Sequence, residues 1–388
     1  MPSTTRRLVL WISAPVVAFA IVGGFLTQVL AREDTYQRLK IFDDVVGLIS
    51  SNYVEPADID KVMGGAMRGL ADSLDADSAY LAPDQVKLAA SSAPLPAGEV
   101  GLELTRQYYL RVIAARDGSA ADRAGLRTGD YVRAIGDTAT RQMSVFEGMR
   151  ALRGAPGTTV RITVIRGNTN DPHVLELTRE VLPPSSVTRR MAAPRVGYVR
   201  VAAIGPNTQA EVRNAVAELT KTGAASLIVD VRRTSTGTIE QGISLARLFV
   251  PSGTLARKES KGIEPQVIAA NAGDSVTTLP TTLLVDVGTS GAAEVFASAL
   301  QGNERADLIG EHTIGRAAEQ TLVRLPSGAG LWLTTTRYQT PNGEPLHETG
   351  LEPSVTVEQP FVEFGQPAPT TDPILERALE RLAARPAA

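Results

Sequence analysis

The sequence predicts a multidomain protein of mixed α/β and α+β class, and three stretches of its 388 residues carry that expectation. Residues 33–74 set apolar side chains at helical spacing. Residues 98–182 break into short strand-like runs with turn signals between them. From about residue 196, largely apolar strands alternate with helices, the pattern of an α/β core whose strands are covered on both faces.

At the N-terminus, Arg6 and Arg7 precede an uncharged run from Leu8 to Ala31, long enough to cross roughly 30 Å of hydrocarbon as a helix. Basic residues ahead of the run favour a cytoplasmic N-terminus and export of the rest. Pro15 within it is compatible with a membrane helix. A cleaved signal peptide is the alternative, since Val29-Leu30-Ala31 is an acceptable cleavage site. Leu39, Phe42, Val45 and Ile49 mark one helix, and Val62, Met67, Leu70 and Leu74 another, parted by the Glu55-Pro56 step. Residues 86–97, rich in Ala, Ser and Pro, read as a linker.

The strand-like runs that follow are Val100–Leu104, Tyr109–Ala114, Tyr131–Ile135, Val160–Ile165 and Val174–Leu177. On the residues alone this block is a small mixed domain. In the third stretch Val196–Val201, Leu227–Val231 and Thr282–Val287 read as strands, with Thr208–Lys221 and Ile239–Leu248 as helices. The first of these helices carries a Thr208…Glu211 capping box and Gly223 just past its end. Asp372–Ala384 reads as an amphipathic helix.

Composition removes several function classes. A net charge of −3 offers no basic field for nucleic acid. Without cysteine there is neither a disulfide framework nor a thiolate metal site. His173, His312 and His347 lie far apart and show no ligand spacing, so neither metal nor cofactor is expected.

Residues 285–301, VDVGTSGAAEVFASALQ, read as a buried strand, a small-residue turn and a helix. The stretch resembles the nucleophile turn of the carboxy-terminal processing (tail-specific) serine proteases, which runs Gly-Ser-Ala-Ser-Ala-Ser-Glu. The resemblance covers roughly residues 33–358. SNYVEPADIDKVMGGAMRGLADSLDADSAYLAPDQ (51–85) resembles the family's N-terminal dimerisation segment. VGYVRVAAIGPNTQAEVRNAVAEL and ASLIVDVRR resemble its core, and GLWLTTTRYQTPNGEPLHETGLEPSV (330–355) its closing strands. GSAADRAGLRTGDYVRAIGD (118–137), followed by LRGAPGTTVRITVIR (152–166), is similar to the signature of a PDZ domain. The implied organisation is an anchor or signal over 1–31, a helical dimerisation segment and linker over 33–95, and a PDZ domain over 96–184. A protease-like (crotonase-like) core follows over 185–360, then a tail with a helix over 361–388.

The family uses a serine nucleophile, a lysine base and a glutamine that orients the lysine. Counting from Gly288, the serine position is Gly291, which has no side chain. LIGEHTIGRAAEQT (308–321) matches the lysine stretch and puts Arg316 at the base and Gln320 at the glutamine. Arginine stays protonated at any ordinary pH and cannot take a proton from a hydroxyl. The family's oxyanion loop, Asp-Leu-Arg-Asn-Asn-Pro-Gly-Gly, appears as DVRRTSTG (230–237); it keeps Gly237 but has Ser235 and Thr236 for the proline and first glycine. Ala292 supplies the second oxyanion-equivalent amide. Arg232 and Arg233 are expected to cap or border the former cleft; the alternative is that they and Arg316 make it attractive to a peptide carboxylate. Glu294 is expected to support the positive helix terminus, and Trp332 and Tyr338 to be strand packing.

In a PDZ domain, backbone amides of one turn hold a peptide's terminal carboxylate. The matching residues are Val100, Gly101 and Leu102; Glu99 stands where the family usually has a second glycine, and its charge opposes a bound terminus unless it turns to solvent. A purely structural or regulatory PDZ module is the alternative. The resemblance therefore implies an exported, periplasmic protease homologue, degenerate at its active site, that acts as an adaptor or regulator through protein C-termini. It would be held to the inner membrane by its N-terminal segment, or secreted if that segment is cleaved. One alternative is an active endopeptidase acting on protein C-terminal regions with unorthodox residues such as Ser290 and His312. Another is a non-catalytic subunit, homodimeric or paired with an active paralogue. No nucleic-acid partner is expected.

Overall fold

The computed structural model describes residues 37, 39–167, 171–367 and 369–384; the Leu8–Ala31 run, with its choice between anchor and cleaved signal, lies outside them. Among the described residues no helix is long and apolar enough to cross a membrane. The chain divides into two compact units at Gly69/Leu70. In the first, α1 (39–52) and α2 (Ile59–Asp72) flank Pro56 as the spacing predicts, and α2 ends just beyond the division. Leu39, Ile41, Val45 and Leu48 on α1 are exposed.

The second unit opens with β1 (Ala79–Leu81) and α3 (Pro83–Ala89), so the expected linker starts as a helix. Proline fits the first turn, where its missing N–H is not needed, and Gln85 Oε1 accepts the Ala82 amide 2.9 Å away. An antiparallel sheet follows: β2 (Leu102–Gln107), β3 (Tyr109–Ala115), β4 (Tyr131–Ile135), β5 (Thr138–Ala139), β6 (Thr159–Ile165) and β7 (His173–Thr178), in the order β2-β3-β4-β6-β7 with β5 on β4. Period-two alternation turns Leu104, Leu110, Val132 and Ile162 inward against α4 (Ala120–Arg123) and α5 (Val145–Leu152). A Ser144/Glu147 capping box starts α5. The first strand begins two residues later than the sequence suggests, which leaves Val100 and Gly101 in the preceding turn.

The remaining elements are β8 (Ser186–Ala193), β9 (Val196–Ala203), α6 (Thr208–Lys221), β10 (Ser226–Asp230), α7 (Ile239–Arg247), β11 (Thr254–Ser260), β12 (Ile263–Ala269), β13 (Thr281–Val285), α8 (Ala292–Gly302), β14 (Ala306–Gly310), β15 (Ala318–Arg324), β16 (Gly330–Gln339), β17 (Val355–Thr356) and α9 (Pro373–Ala384). Six of the strands form the central sheet, β17-β14-β13-β10-β9-β8, parallel except for the antiparallel edge strand β8. Leu227 and Val229 of β10 face α6, α7 and α8, while Ile228 faces Ile374 and Ala378 of α9. A strand buried on both faces needs an apolar run, as the sequence has it.

The expected Thr208…Glu211 capping box does not form. Thr208 Oγ1 accepts the Gly205 amide and donates to Ala203 O, while Glu211 accepts the Ser185 hydroxyl. The Thr208 hydroxyl is taken by its own chain three and five residues back, and Glu211 by a residue 26 positions away, so neither side chain is left for the cap. A capping box does open α7, between Thr238 and Gln241. The third sheet, β1-β16-β11-β12 with β15 on β16, places Trp332 beside Phe146 of α5 at 5.5 Å between ring centres, and buries Tyr338.

Candidate active site

β13 delivers the chain into a turn that α8 leaves, and the turn is stitched to the loop after β10. The Ser290 amide donates to Thr234 O at 3.0 Å and Thr289 Oγ1 to Val231 O at 2.9 Å. Asp286 accepts the Arg233 amide at 2.8 Å. Gly288 is required by this close approach: a Cβ would stand 2.8 Å from Ile113 O and 2.9 Å from Arg233 Cα. Gly291 heads α8 with φ 59° and ψ −114°, a conformation that strains any other residue. Yet a Cβ there would meet nothing nearer than Arg316 O at 3.8 Å. The geometry is that of a strand–turn–helix nucleophile elbow with room for a side chain.

Glu294, in the first turn of α8, does more than favour a helix terminus. Its buried carboxylate accepts the Gly291 amide at 3.0 Å, the Arg316 amide at 2.7 Å, the Gly315 amide at 2.6 Å and the Thr313 hydroxyl at 2.6 Å. Burial raises its pKa above the ordinary range, although these donors pull the other way. One carboxylate thus ties the Gly291 turn to the Arg316 stretch. Both lie in compact structure, and the spacing to Arg316 is too long for local sequence to reveal.

Arg316 does not stand free in a cleft. Nη2 and Nε donate to the two oxygens of Asp77 at 2.7 and 3.1 Å, and Nη1 reaches Leu104 O of β2 at 3.3 Å. Burial opposes the guanidinium charge, but Asp77, with Glu103 and Glu294 behind it, holds the pKa above that of an ordinary arginine. Gln320 lies four residues on, at the start of β15, and donates to Thr334 Oγ1 at 3.2 Å rather than meeting Arg316. Arg316 and Gln320 line one cavity of about 230 Å³ with Asp77, Trp332, and Phe146 and Met149 of α5. The sequence reading did not find Asp77 or Glu103. Burial pushes Glu103 on β2 up to about 7, with Arg316 pulling against it.

This shift fixes the sign of a pH effect. In the fold the Glu103 carboxyl resists ionisation, so its cost is absent below the ordinary value of 4.5, grows up to about 7 and is complete above it. Glu103→Gln is expected to leave stability near pH 4 unchanged and to raise it at pH 8 by on the order of 2 kcal/mol, read from urea unfolding at both pH values.

The oxyanion-equivalent loop is held by its own side chains. Thr234 Oγ1 donates to Val201 O at 2.5 Å, and Thr236 Oγ1 accepts the Ile204 amide at 3.0 Å. Gly237 keeps a positive φ of 96° against Ile204, and Ala292 is buried at the head of α8. The alternative that Arg232, Arg233 and Arg316 lend the cleft charge for a carboxylate gains no support, because each is already engaged with a carboxylate of the chain. Arg232 binds Asp230 and Asp372 at distances from 2.6 to 3.1 Å. Arg233 turns to Asp117 at 2.7 Å and Asp122 at 3.1 Å, next to α4. Arg200, which the sequence reading missed, joins Asp117 at 2.9 Å and Thr234 Oγ1 at 3.1 Å.

No hydrogen bond among the described residues joins Ser290 to His312. Ser290 is 1% exposed, whereas the His312 side chain is half exposed and faces Glu352 at 3.7 Å. In the antiparallel domain, Glu99 neither faces a peptide terminus unopposed nor turns to solvent: it pairs with Arg153 at 2.6 Å and Arg116 at 3.7 Å. Val100 and Gly101 use their carbonyls on the Ala121 and Arg116 amides. No backbone hydrogen bond among the described residues engages their own amides. Leu102 opens β2.

The fold and site define a peptidase scaffold with a PDZ domain ahead of it. Residues 195–357 match peptidase family S41, and residues 111–166 match the PDZ domain. The carboxyl-terminal-processing protease of Synechocystis sp. is 34% identical over 290 residues, 73% of this chain and 68% of the relative. That of Bartonella bacilliformis is 27% identical over 363 residues, 89% of this chain and 83% of the relative. The solved photosystem II D1 C-terminal processing protease superposes with a TM-score of 0.66 at 29% identity, covering 82% of this chain and 92% of that one. The chain belongs to the carboxyl-terminal-processing protease family, peptidase family S41.

Proposed function

We propose that this chain is a pseudoprotease: an exported family member that binds protein C-termini through its PDZ domain and acts as an adaptor or regulator. The observation that carries the reading is the pair of Gly291, without a side chain, and Arg316, a protonated guanidinium committed to Asp77. A serine hydroxyl needs a neutral base beside it, and neither group is present at these positions. The Leu8–Ala31 run supports export and anchoring at the periplasmic face of an inner membrane. The exposed apolar residues of α1 support pairing with a second copy or with an active paralogue.

The uncommitted amides of Val100 and Gly101 support peptide binding. Unstructured peptides with a free α-carboxylate are expected to bind the purified chain and to be recovered uncleaved. Amidation of the same C-termini is expected to weaken binding at least about tenfold, read by fluorescence anisotropy. Equal affinity for amidated and free peptides would remove the C-terminus as the ligand.

A further inference from the structure

We infer that the outer face of the PDZ sheet docks on an anionic phospholipid surface, a contact separate from both the peptide turn and the catalytic remnant. Three arginines on this face stack on three tyrosines. Arg141 lies over Tyr108 at 4.6 Å, Arg133 over Tyr109 at 5.6 Å and Arg111 over Tyr131 at 5.6 Å. Tyr108 and Tyr109 meet edge to face at 5.0 Å, which joins two of the pairs into one row. Tyr109 and Arg111 of β3, and Tyr131 and Arg133 of β4, alternate with inward Leu110 and Val132, so they share the outer face.

Among the described residues the three arginines have no carboxylate partner of their own. No salt bridge among the described residues engages Arg111, Arg133 or Arg141, whereas Arg106 and Arg161 nearby pair with Asp72 and Asp137. A depression of about 460 Å³ lies beside the row, lined by Arg106, Tyr108 and Arg141 with Asp72, Leu74 and Asp75. Of its carboxylates, Asp72 is paired with Arg106, and Asp75, held by the amides of Asp77 and Ser78, keeps one negative charge against Arg141 and the rest of the row. On a chain of net charge −3, this is a local cationic face.

Tyr108 adds a second observation. It holds φ at 69°, a strained value for an aromatic residue, and is 61% exposed at the β2–β3 tip. Tyrosine and arginine together suit the bilayer interface, where rings sit at headgroup level and guanidinium groups meet phosphate. Three such arginines favour the docked state about a hundredfold on an anionic membrane.

The chain lacks cysteine, so Thr138→Cys in the full chain gives one labelling point, three residues from Arg141. A fluorophore there would be read against headgroup-quencher lipids in phosphatidylcholine vesicles with and without phosphatidylglycerol. Quenching is expected only with phosphatidylglycerol and is expected to fade at high salt. It should be lost when Arg111→Gln, Arg133→Gln and Arg141→Gln are combined, and weakened but still present when the same three become lysine, which keeps the charge without the planar stack. Equal quenching in both vesicles, quenching that survives the glutamine substitutions, or loss in the lysine variant would overturn the inference. Binding of an acidic polypeptide with no vesicle response would assign the face to a protein instead.

Discussion

Gly291→Ser combined with Arg316→Lys is expected to produce measurable cleavage of an unstructured protein, where neither single substitution does. Losing the nucleophile alone costs a serine protease roughly a millionfold in rate, so recovery of at least about a hundredfold over the single variants would be plain in a gel assay. The elbow backbone already has φ 59° and ψ −114°, and the space above it is open to 3.8 Å. A serine there carries about 1–3 kcal/mol of backbone strain, so the variant should also unfold at lower urea concentration. The obstacle is Asp77, whose carboxylate would keep the lysine introduced at 316 protonated. Adding Asp77→Asn should therefore raise the rate at neutral pH and move the pH optimum down. A well-folded triple variant without activity would place the remaining defect in the Thr234–Thr236 loop.

Glu294→Ala should destabilise the chain by about 4 kcal/mol, the largest stability effect expected for the site. Three backbone amides and the Thr313 hydroxyl lose their acceptor in a buried place, at about 1–3 kcal/mol each before relaxation. Glu294→Gln keeps one acceptor oxygen but sets an NH₂ against the donors, so its cost should fall between wild type and alanine. Urea unfolding at pH 7 measures both. A loss below about 1 kcal/mol for alanine would mean that water replaces the carboxylate and that the elbow and the Arg316 stretch hold their places independently.

Much of this architecture was legible because it is local. The apolar runs at 227–231 and 282–287, the small-residue turn Gly288–Glu294 and the helix-turn-strand wording of 118–137 each signal their structure within a few residues. The candidate site was read only as departures from the wording it resembles, at Gly291, Arg316 and Thr236. What these residues do in the fold was not. Arg316 finds Asp77 at a sequence separation of 239, and Arg233 finds Asp117 at 116, distances over which spacing carries no signal. The alternative of a cationic cleft lost its support for this reason, since it counted arginines and could not see their carboxylates. The Thr208 cap failed for a different reason: its hydroxyl bonds locally to Ala203 and Gly205, and only the partner of Glu211, Ser185, is distant. Asn207 holds the N-cap position without a side-chain hydrogen bond.

The central claim is that a protease scaffold has been kept while its chemistry has been given up. Incubation of the purified full chain with an unstructured protein, followed by mass spectrometry of the products, tests it most directly. No fragments above the buffer control are expected across pH 5–9. Fragments that form with the wild-type chain and vanish with Ser290→Ala would contradict it.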